Sequence, residues 1–248
     1  MKPRGSLILV AALALGGGFA RGAEQKLGHD VSLPGVSPEE RLATLLAHFD
    51  AAQKAIVTLQ ADFQERKDLK ILKAPVLSTG HFYYSRPDRA KWEYVSPDRK
   101  VFLINDNRLM QYFPSDKLLE KKDLRASNTT RLFKLFGLGQ TSKQLADFYD
   151  IKLEDDSDQP GTYLLVLTPR RRVIEKRLAK VYLWVGDQDF LPRALKYQEG
   201  DGDLTHLVFS AVRVNEVLAD ATFTLDIPSD VRVRNEITLF TAGKKSAP

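Results

Sequence analysis

The chain contains no cysteine. Disulfides, thiolate nucleophiles, thiolate metal sites and a lipidated N-terminal cysteine are therefore excluded. Histidine is scarce: His29, His48, His81 and His206. No two of them stand at metal-ligand spacing, and none has a helical Glu partner. G-x-S-x-G, the P-loop, G-x-G-x-x-G and H-E-x-x-H are all missing, so no familiar catalytic, cofactor or metal motif marks an enzyme. Glu154-Asp155-Asp156 with Asp158 precedes Pro160-Gly161 and is an incomplete calcium pattern, which reads as a solvated turn. His81 and His206 sit within strands beside aromatics and read as packed, hydrogen-bonded histidines.

Long apolar runs are also lacking. After residue 23 no stretch approaches the ~20 apolar residues of a membrane helix. Before it, Lys2 and Arg4 precede an apolar Leu7 to Leu15 and a small-residue segment Gly16 to Ala23. That is the layout of a secretory signal peptide, residues 1–23, leaving 24–248 as a single exported domain. At about 225 residues this domain is large enough to hold itself together by a core alone. The net charge of +5 is carried largely by the leader. Losing Lys2, Arg4 and Arg21 from 37 basic residues leaves 34 against 32 acidic ones, a balance of +2. That balance and an exported destination speak against nucleic acid.

What is present is a run of short aromatic and β-branched segments. Within Thr79 to Pro114 these are His81–Ser85, Ala90–Val95, Val101–Ile104 and Leu109–Phe113. Arg86-Pro87-Asp88, Ser96-Pro97-Asp98 and Asn105-Asp106-Asn107 separate them with turn chemistry, predicting an antiparallel meander. Its apolar residues occupy both faces. Phe82 and Tyr84 oppose Tyr83, and Val101 and Leu103 oppose Phe102 and Ile104. Such a sheet must be covered twice, or leave one face for something else.

Upstream, Ser37-Pro38-Glu39-Glu40 is a helix start. Leu42, Leu45, Leu46, Phe49, Ala52, Gln53 and Ile56 continue it as an apolar stripe that docks on the sheet. Glu24 to Gly35 reads as a lead-in. Thr58 to Asp68 alternates as a first strand, and Ile71 to Val76 is a loop or ragged strand. Further strands are expected at Leu118–Leu124, Asp150–Asp155, Thr162–Thr168, Leu178–Val185, Phe190–Gln198 and Leu204–Asn215. Short ones follow near Phe223 and at Val231–Val233. Short helices are expected at Thr129–Gly139 and Ser142–Phe148, and a frayed tail at Ala242–Pro248. The fold class is therefore α+β, mainly antiparallel β. Roughly ten strands should curl strongly, with helices over the concave face.

Two features stand apart. Arg170 to Lys180 (R-R-R-V-I-E-K-R-L-A-K) reads as a solvated hairpin tip, or as a docking patch for anionic head groups or an acidic partner. Arg86 ends a strand beside Pro87. It is either a surface turn cap or a donor to backbone carbonyls of a lid or to a ligand's polar head.

The ordered pieces resemble one family, the periplasmic outer-membrane lipoprotein carriers of the LolA type. The resemblance spans about Arg41 to Arg234. It is carried by Ala61-Asp62-Phe63-Gln64, Gly80-His81-Phe82-Tyr83-Tyr84-Ser85-Arg86-Pro87, Lys91-Trp92-Glu93-Tyr94 with Ser96-Pro97, and Gln111-Tyr112-Phe113-Pro114. Leu165-Val166-Leu167-Thr168-Pro169, Leu191-Pro192 and Phe223-Thr224-Leu225-Asp226-Ile227-Pro228 follow. The resemblance implies a strongly curved, unclosed β-barrel with a helical lid over a hydrophobic cavity. It implies acylated lipoprotein cargo, received from an inner-membrane releasing transporter and passed to an outer-membrane acceptor, and a monomeric carrier without cofactor. The family's R-P arginine links lid to barrel and is needed to accept cargo; Arg86 matches it. One position departs: members often carry an aromatic before the Trp, where this chain has Arg89-Ala90.

On that reading the lining candidates are Phe82, Tyr84, Trp92, Tyr94, Phe102 and Ile104, then Tyr112, Leu165, Leu183, Trp184 and Phe209. Two other readings share the fold: a carrier of another envelope lipid, and a sensor or assembly module that binds a partner protein.

Overall fold

The computed structural model describes residues 36–124, 141–155, 157–176, 178–235 and 237. The leader, the 24–35 lead-in, the helix expected at 129–139 and the tail at 242–248 lie outside the described residues.

Helix α1 (Pro38–Ala55) begins where the sequence places it. Ser37 Oγ accepts the Glu40 N–H, and the Glu40 carboxylate accepts the Ser37 N–H, closing a capping box. Pro38 occupies the first turn, where its missing N–H is harmless. Leu45, Phe49 and Gln53 recur every fourth residue and are buried, with Leu42, Leu46 and Ala52 beside them.

The strands are β1 (Thr58–Asp68), β2 (Val76–Ser85), β3 (Arg89–Ser96), β4 (Lys100–Asn105), β5 (Arg108–Phe113) and β6 (Leu118–Asp123). The short helix α2 (Ser142–Ala146) then leads into β7 (Tyr149–Leu153) and β8 (Thr162–Pro169). A second short helix, α3 (Arg172–Glu175), precedes β9 (Leu178–Gly186), β10 (Pro192–Glu199), β11 (Leu204–Val214) and β12 (Arg232–Arg234).

All twelve strands form one unclosed, curved sheet in the order β12-β6-β5-β4-β3-β2-β1-β11-β10-β9-β8-β7. Every adjacent pair is antiparallel except β12 with β6, which is parallel. Strand β1 lies between β2 and β11, so it joins the early meander to the late one. The β4–β5 turn has both central residues, Asp106 and Asn107, at positive φ (49° and 56°). That is the geometry a two-residue hairpin with right-handed twist requires, and Asp and Asn tolerate it.

Two expectations are corrected. The segment around Phe223 is a 3-10 turn, Asp220–Phe223, not a strand. Its ring lies 4.7 Å beneath the Arg89 guanidinium, and its carbonyl accepts Asn105 Nδ2 at 3.1 Å, so it covers the sheet instead of extending it. The basic run is not a plain hairpin tip either, because α3 interrupts it, with Ile174 packed against the core.

Side chains alternate across the sheet, and helix α1 covers one face only, here called inner. Most of the buried apolar residues belong to that one cluster. The two-sided burden expected of the meander is thus unequal. Leu103 is buried on the outer face, whereas Val95 on that face is exposed.

Candidate functional site

The inner face is built by register. Phe82 on β2 stands opposite Trp92 on β3, which stands opposite Phe102 on β4. Phe82 and Trp92 have ring centroids 4.2 Å apart. Phe63 on β1 faces Phe209 on β11 and meets Tyr94 edge-on at 4.9 Å. Tyr84 lies opposite Ala90, and Ala90 opposite Ile104. Across the other half, Leu165, Leu183, Leu195 and Leu207 form a ladder over β8, β9, β10 and β11. These side chains are buried together with Leu45 and Phe49 of α1. Edge-on and tilted aromatic pairs of this kind add ~0.5–1.5 kcal/mol beyond their buried area. The face is therefore closed upon itself, aromatic on aromatic and under a helix.

Nine of the eleven lining candidates stand on this face: Phe82, Tyr84, Trp92, Tyr94, Phe102, Ile104, Leu165, Leu183 and Phe209. Tyr112 and Trp184 do not. Tyr112 pairs with Val101, one residue out of step with Phe102, so it belongs to the outer face. Trp184 pairs with Leu164 and Ala194, opposite in direction to its neighbour Leu183. It is nevertheless buried, because its indole N–H donates to Asp158 at 2.6 Å and its ring lies beside Tyr182 and His206. A single-residue step reverses the face in a strand, and hydrophobicity alone does not reveal it.

At one end of the face the sheet and α1 are clasped together. Arg86 is exposed, but its Nη2 donates to the Gln53 carbonyl at 2.7 Å, and its own N–H donates to the Val57 carbonyl at 2.8 Å. Carbonyls at a helix C-terminus lack intrahelical partners and carry partial negative charge, so a guanidinium suits them. Asn215, at the end of β11, completes the clasp. Its Nδ2 donates to the Ala55 carbonyl at 3.0 Å and its Oδ1 accepts the Val57 N–H at 2.7 Å. Further along α1, Asp50 accepts both the N–H and the hydroxyl of Ser142, and Arg41 pairs with Asp155 at 3.2 Å. Arg86 was expected either to cap a turn or to donate to backbone carbonyls of a lid or to a ligand's polar head; here it donates to one carbonyl of α1. Asn215 and Asp50 are not legible in sequence, because their partners lie 160 and 92 residues away.

The opposite end of the inner face is polar. Glu65 and Lys67 continue the inward alternation of β1 and are buried, 3.5 Å apart. The Tyr94 hydroxyl donates to Glu65 at 3.1 Å, and Lys100 lies over the Tyr94 ring at 4.1 Å. Burial pushes Lys100 down to about 8 and Glu199 up to about 7. Burial, with Glu65 next to it, holds the Tyr94 hydroxyl well above its ordinary range. Charged groups taken from water favour their neutral forms unless paired. This cluster was missed in the sequence, where Thr58 to Asp68 reads only as an alternating strand.

Elsewhere His81 Nδ1 lies 2.7 Å from Asp62 Oδ1 on the outer face. His206 packs beside Trp184, but its Nε2 has no hydrogen-bond partner among the described residues. No group of three or more His, Asp or Glu among the described residues could hold a metal ion.

The family model described as outer membrane lipoprotein carrier protein LolA matches residues 54–226. An outer-membrane lipoprotein carrier protein of Methylococcus capsulatus is 24% identical over 198 residues, covering 79% of this chain and 87% of that relative. A protein of the same description from Halorhodospira halophila is 27% identical over 161 residues, covering 63% and 69%. Among solved structures, an uncharacterized conserved protein from Thermus thermophilus superposes with a TM-score of 0.51 at 13% identity, covering 79% of this chain and 99% of that one.

Proposed function

The chain belongs to the outer membrane lipoprotein carrier family, and on that premise we propose that it is a periplasmic carrier. It binds the acyl chains of lipoproteins against its inner face and moves them from the inner to the outer membrane, without catalysing a reaction. The observation that carries the reading is the apolar face closed beneath α1 and clasped at the helix C-terminus by Arg86.

The physical logic is an exchange of apolar contacts. Sequestering about 15 methylenes at ~0.8 kcal/mol each contributes on the order of 12 kcal/mol gross. Separating α1 from the aromatic face sacrifices contacts of the same kind, so the net affinity is much smaller and cargo can leave. The lining is Phe82, Tyr84, Trp92, Tyr94, Phe102, Ile104, Leu165, Leu183 and Phe209. Arg86 favours the closed form, because its bond to Gln53 requires α1 to be seated.

The test is detergent-free purification from periplasm followed by mass spectrometry. Wild type should carry an acylated species. The resemblance led to the expectation that this arginine is needed to accept cargo, but its bond to Gln53 favours the closed form, so Arg86→Leu should instead retain more, by up to about tenfold for a bond of ~1–1.5 kcal/mol. If neither protein ever carries an acylated species, the reading fails. A bound glycolipid instead of a lipopeptide would transfer the role to another envelope lipid.

A further inference from the structure

Exposed large aliphatic residues are few, and four of them gather at one end of the sheet. Ile71 is 82% exposed and Leu72 37%, both in the loop between β1 and β2. Leu77, near the start of β2, is 62% exposed, and Val95, near the end of the adjacent β3, is 47% exposed. Leu77 stands opposite Arg66, on the outer face. Antiparallel pairing of β2 with β3 brings the start of one beside the end of the other. The four therefore form a strip running off the outer face onto the loop tip.

The loop is held in place. The Lys70 N–H donates to Asp203 Oδ1 at 2.8 Å, and Lys70 Nζ donates to the Asp201 carbonyl. The Leu72 N–H closes a turn onto the Leu69 carbonyl at 2.9 Å. Gly202 makes room for this: a Cβ there would meet Lys70 Nζ at 2.1 Å, and its φ is +93°. Lys70 thus pins the base of the loop to the β10–β11 turn, which leaves Ile71 and Leu72 pointing to solvent. Lys73 follows them directly, and Arg99 stands in the turn after β3 at the same end. Neither has an ion-pair partner among the described residues; of the acids at this end, Asp68 is taken by Arg66 at 2.7 Å, Asp98 precedes Arg99, and Asp201 and Asp203 lie at the base of the loop beside Lys70.

We propose that this end of the molecule is a membrane-seating surface, in which Ile71 and Leu72 enter the interface of an anionic bilayer and Lys73 and Arg99 meet its head groups. Apolar side chains flanked by cations are the composition of interfacial anchors. A protein partner fits less well. A stable protein interface needs roughly 1,000 Å² and directional polar contacts, whereas this strip is a narrow line of aliphatic side chains ending at a projecting tip. The surface is separate from the inner face, so it does not depend on what that face binds.

The experiment is co-sedimentation of the full mature chain, free of cargo, with vesicles. One set contains phosphatidylethanolamine and phosphatidylglycerol; the other is phosphatidylcholine alone. Wild type should partition to the anionic set. I71E/L72E should lower that partition by about a hundredfold, near tenfold per inserted side chain. Lys73→Gln and Arg99→Gln should each lower it about fivefold on anionic vesicles only, with the effect shrinking in high salt. All four residues are exposed, so the variants should unfold at the wild-type temperature. As a local readout, Leu72→Trp should add a fluorescence component that shifts to the blue with anionic vesicles. Wild type that never sediments, or I71E/L72E that sediments undiminished, overturns the proposal. So does concentration-dependent self-association in lipid-free buffer that I71E/L72E abolishes, which would assign the strip to a second copy of the chain. Cargo retention should be unchanged in I71E/L72E, which keeps failure here distinct from failure of the carrier reading.

Discussion

Arg86 is exposed, yet its guanidinium is where helix and sheet meet. Its backbone and side chain reach two different carbonyls around the end of α1. Under the carrier role proposed above, such a residue weighs on the balance between closed and open forms more than on the core. Glu199 acts on stability in the opposite sense. Burial raises its carboxyl from the ordinary 4.5 to about 7, with Asp201, Asp203 and Glu65 adding to the rise and Lys67 opposing it. In the unfolded chain the group ionises near 4.5, whereas in the fold it stays protonated to about 7. The unfolded state therefore binds fewer protons across that window, and this group erodes stability as pH rises from about 4.5 to 7. Glu199→Gln should remove the erosion. Its gain over wild type in urea unfolding should be larger at pH 8 than at pH 5; an equal gain at both would assign the effect to packing instead of charge.

At the scale of elements, α1 is held by its ends and its middle. Its C-terminus is clasped by Arg86 and Asn215, its middle by Asp50 to α2, and its first turns by Arg41 to Asp155. The Asp50 contact joins a half-buried carboxylate to the N–H and hydroxyl at the start of a short helix. Bonds to a charged acceptor in such a place contribute ~1–3 kcal/mol. Asp50→Ala should lower stability by about 2 kcal/mol in urea unfolding and speed amide exchange in α2. An unchanged midpoint would mean that the contact does not form in solution. The end strands differ in character. β12 is only three residues and is exposed throughout, and it pairs with β6 in the sheet's one parallel pairing. Being short and charged, it suits an end strand that must not recruit another chain.

For the whole molecule the question is which part opens. Strand β1 is paired along nearly its whole length on both sides, by β2 and β11, whereas α1 meets the sheet through one stripe and a few polar contacts. Local opening follows the weaker set of contacts. In hydrogen exchange read by mass spectrometry, α1 amides should exchange through a sub-global opening faster than those of β1. Arg86→Leu should accelerate α1 and leave β1 unchanged. A single common rate for α1 and β1 would rule out a separable lid.

Much of the architecture was legible in order along the chain. The helix start at Ser37-Pro38-Glu39-Glu40, the alternation of Thr58 to Asp68, and the turn residues between the meander strands are local signals, read within a few residues. The family resemblance rested on motifs in order, among them Ala61–Gln64, Gly80–Pro87 and Lys91–Tyr94. What the sequence alone determined was therefore the identity and succession of most elements, the 3-10 turn at Asp220–Phe223 and helix α3 excepted. Only tertiary structure decided facing and partnership. It put Trp184 outward beside an inward Leu183, and Tyr112 outward beside an inward Phe113. It brought Asn215 to the end of α1 and buried Glu65 and Lys67 together at one end of an apolar face. The reason is physical. Strand propensity depends on the residue and its neighbours, but the face it presents depends on register with a partner far away in sequence, and so does the burial of a charge.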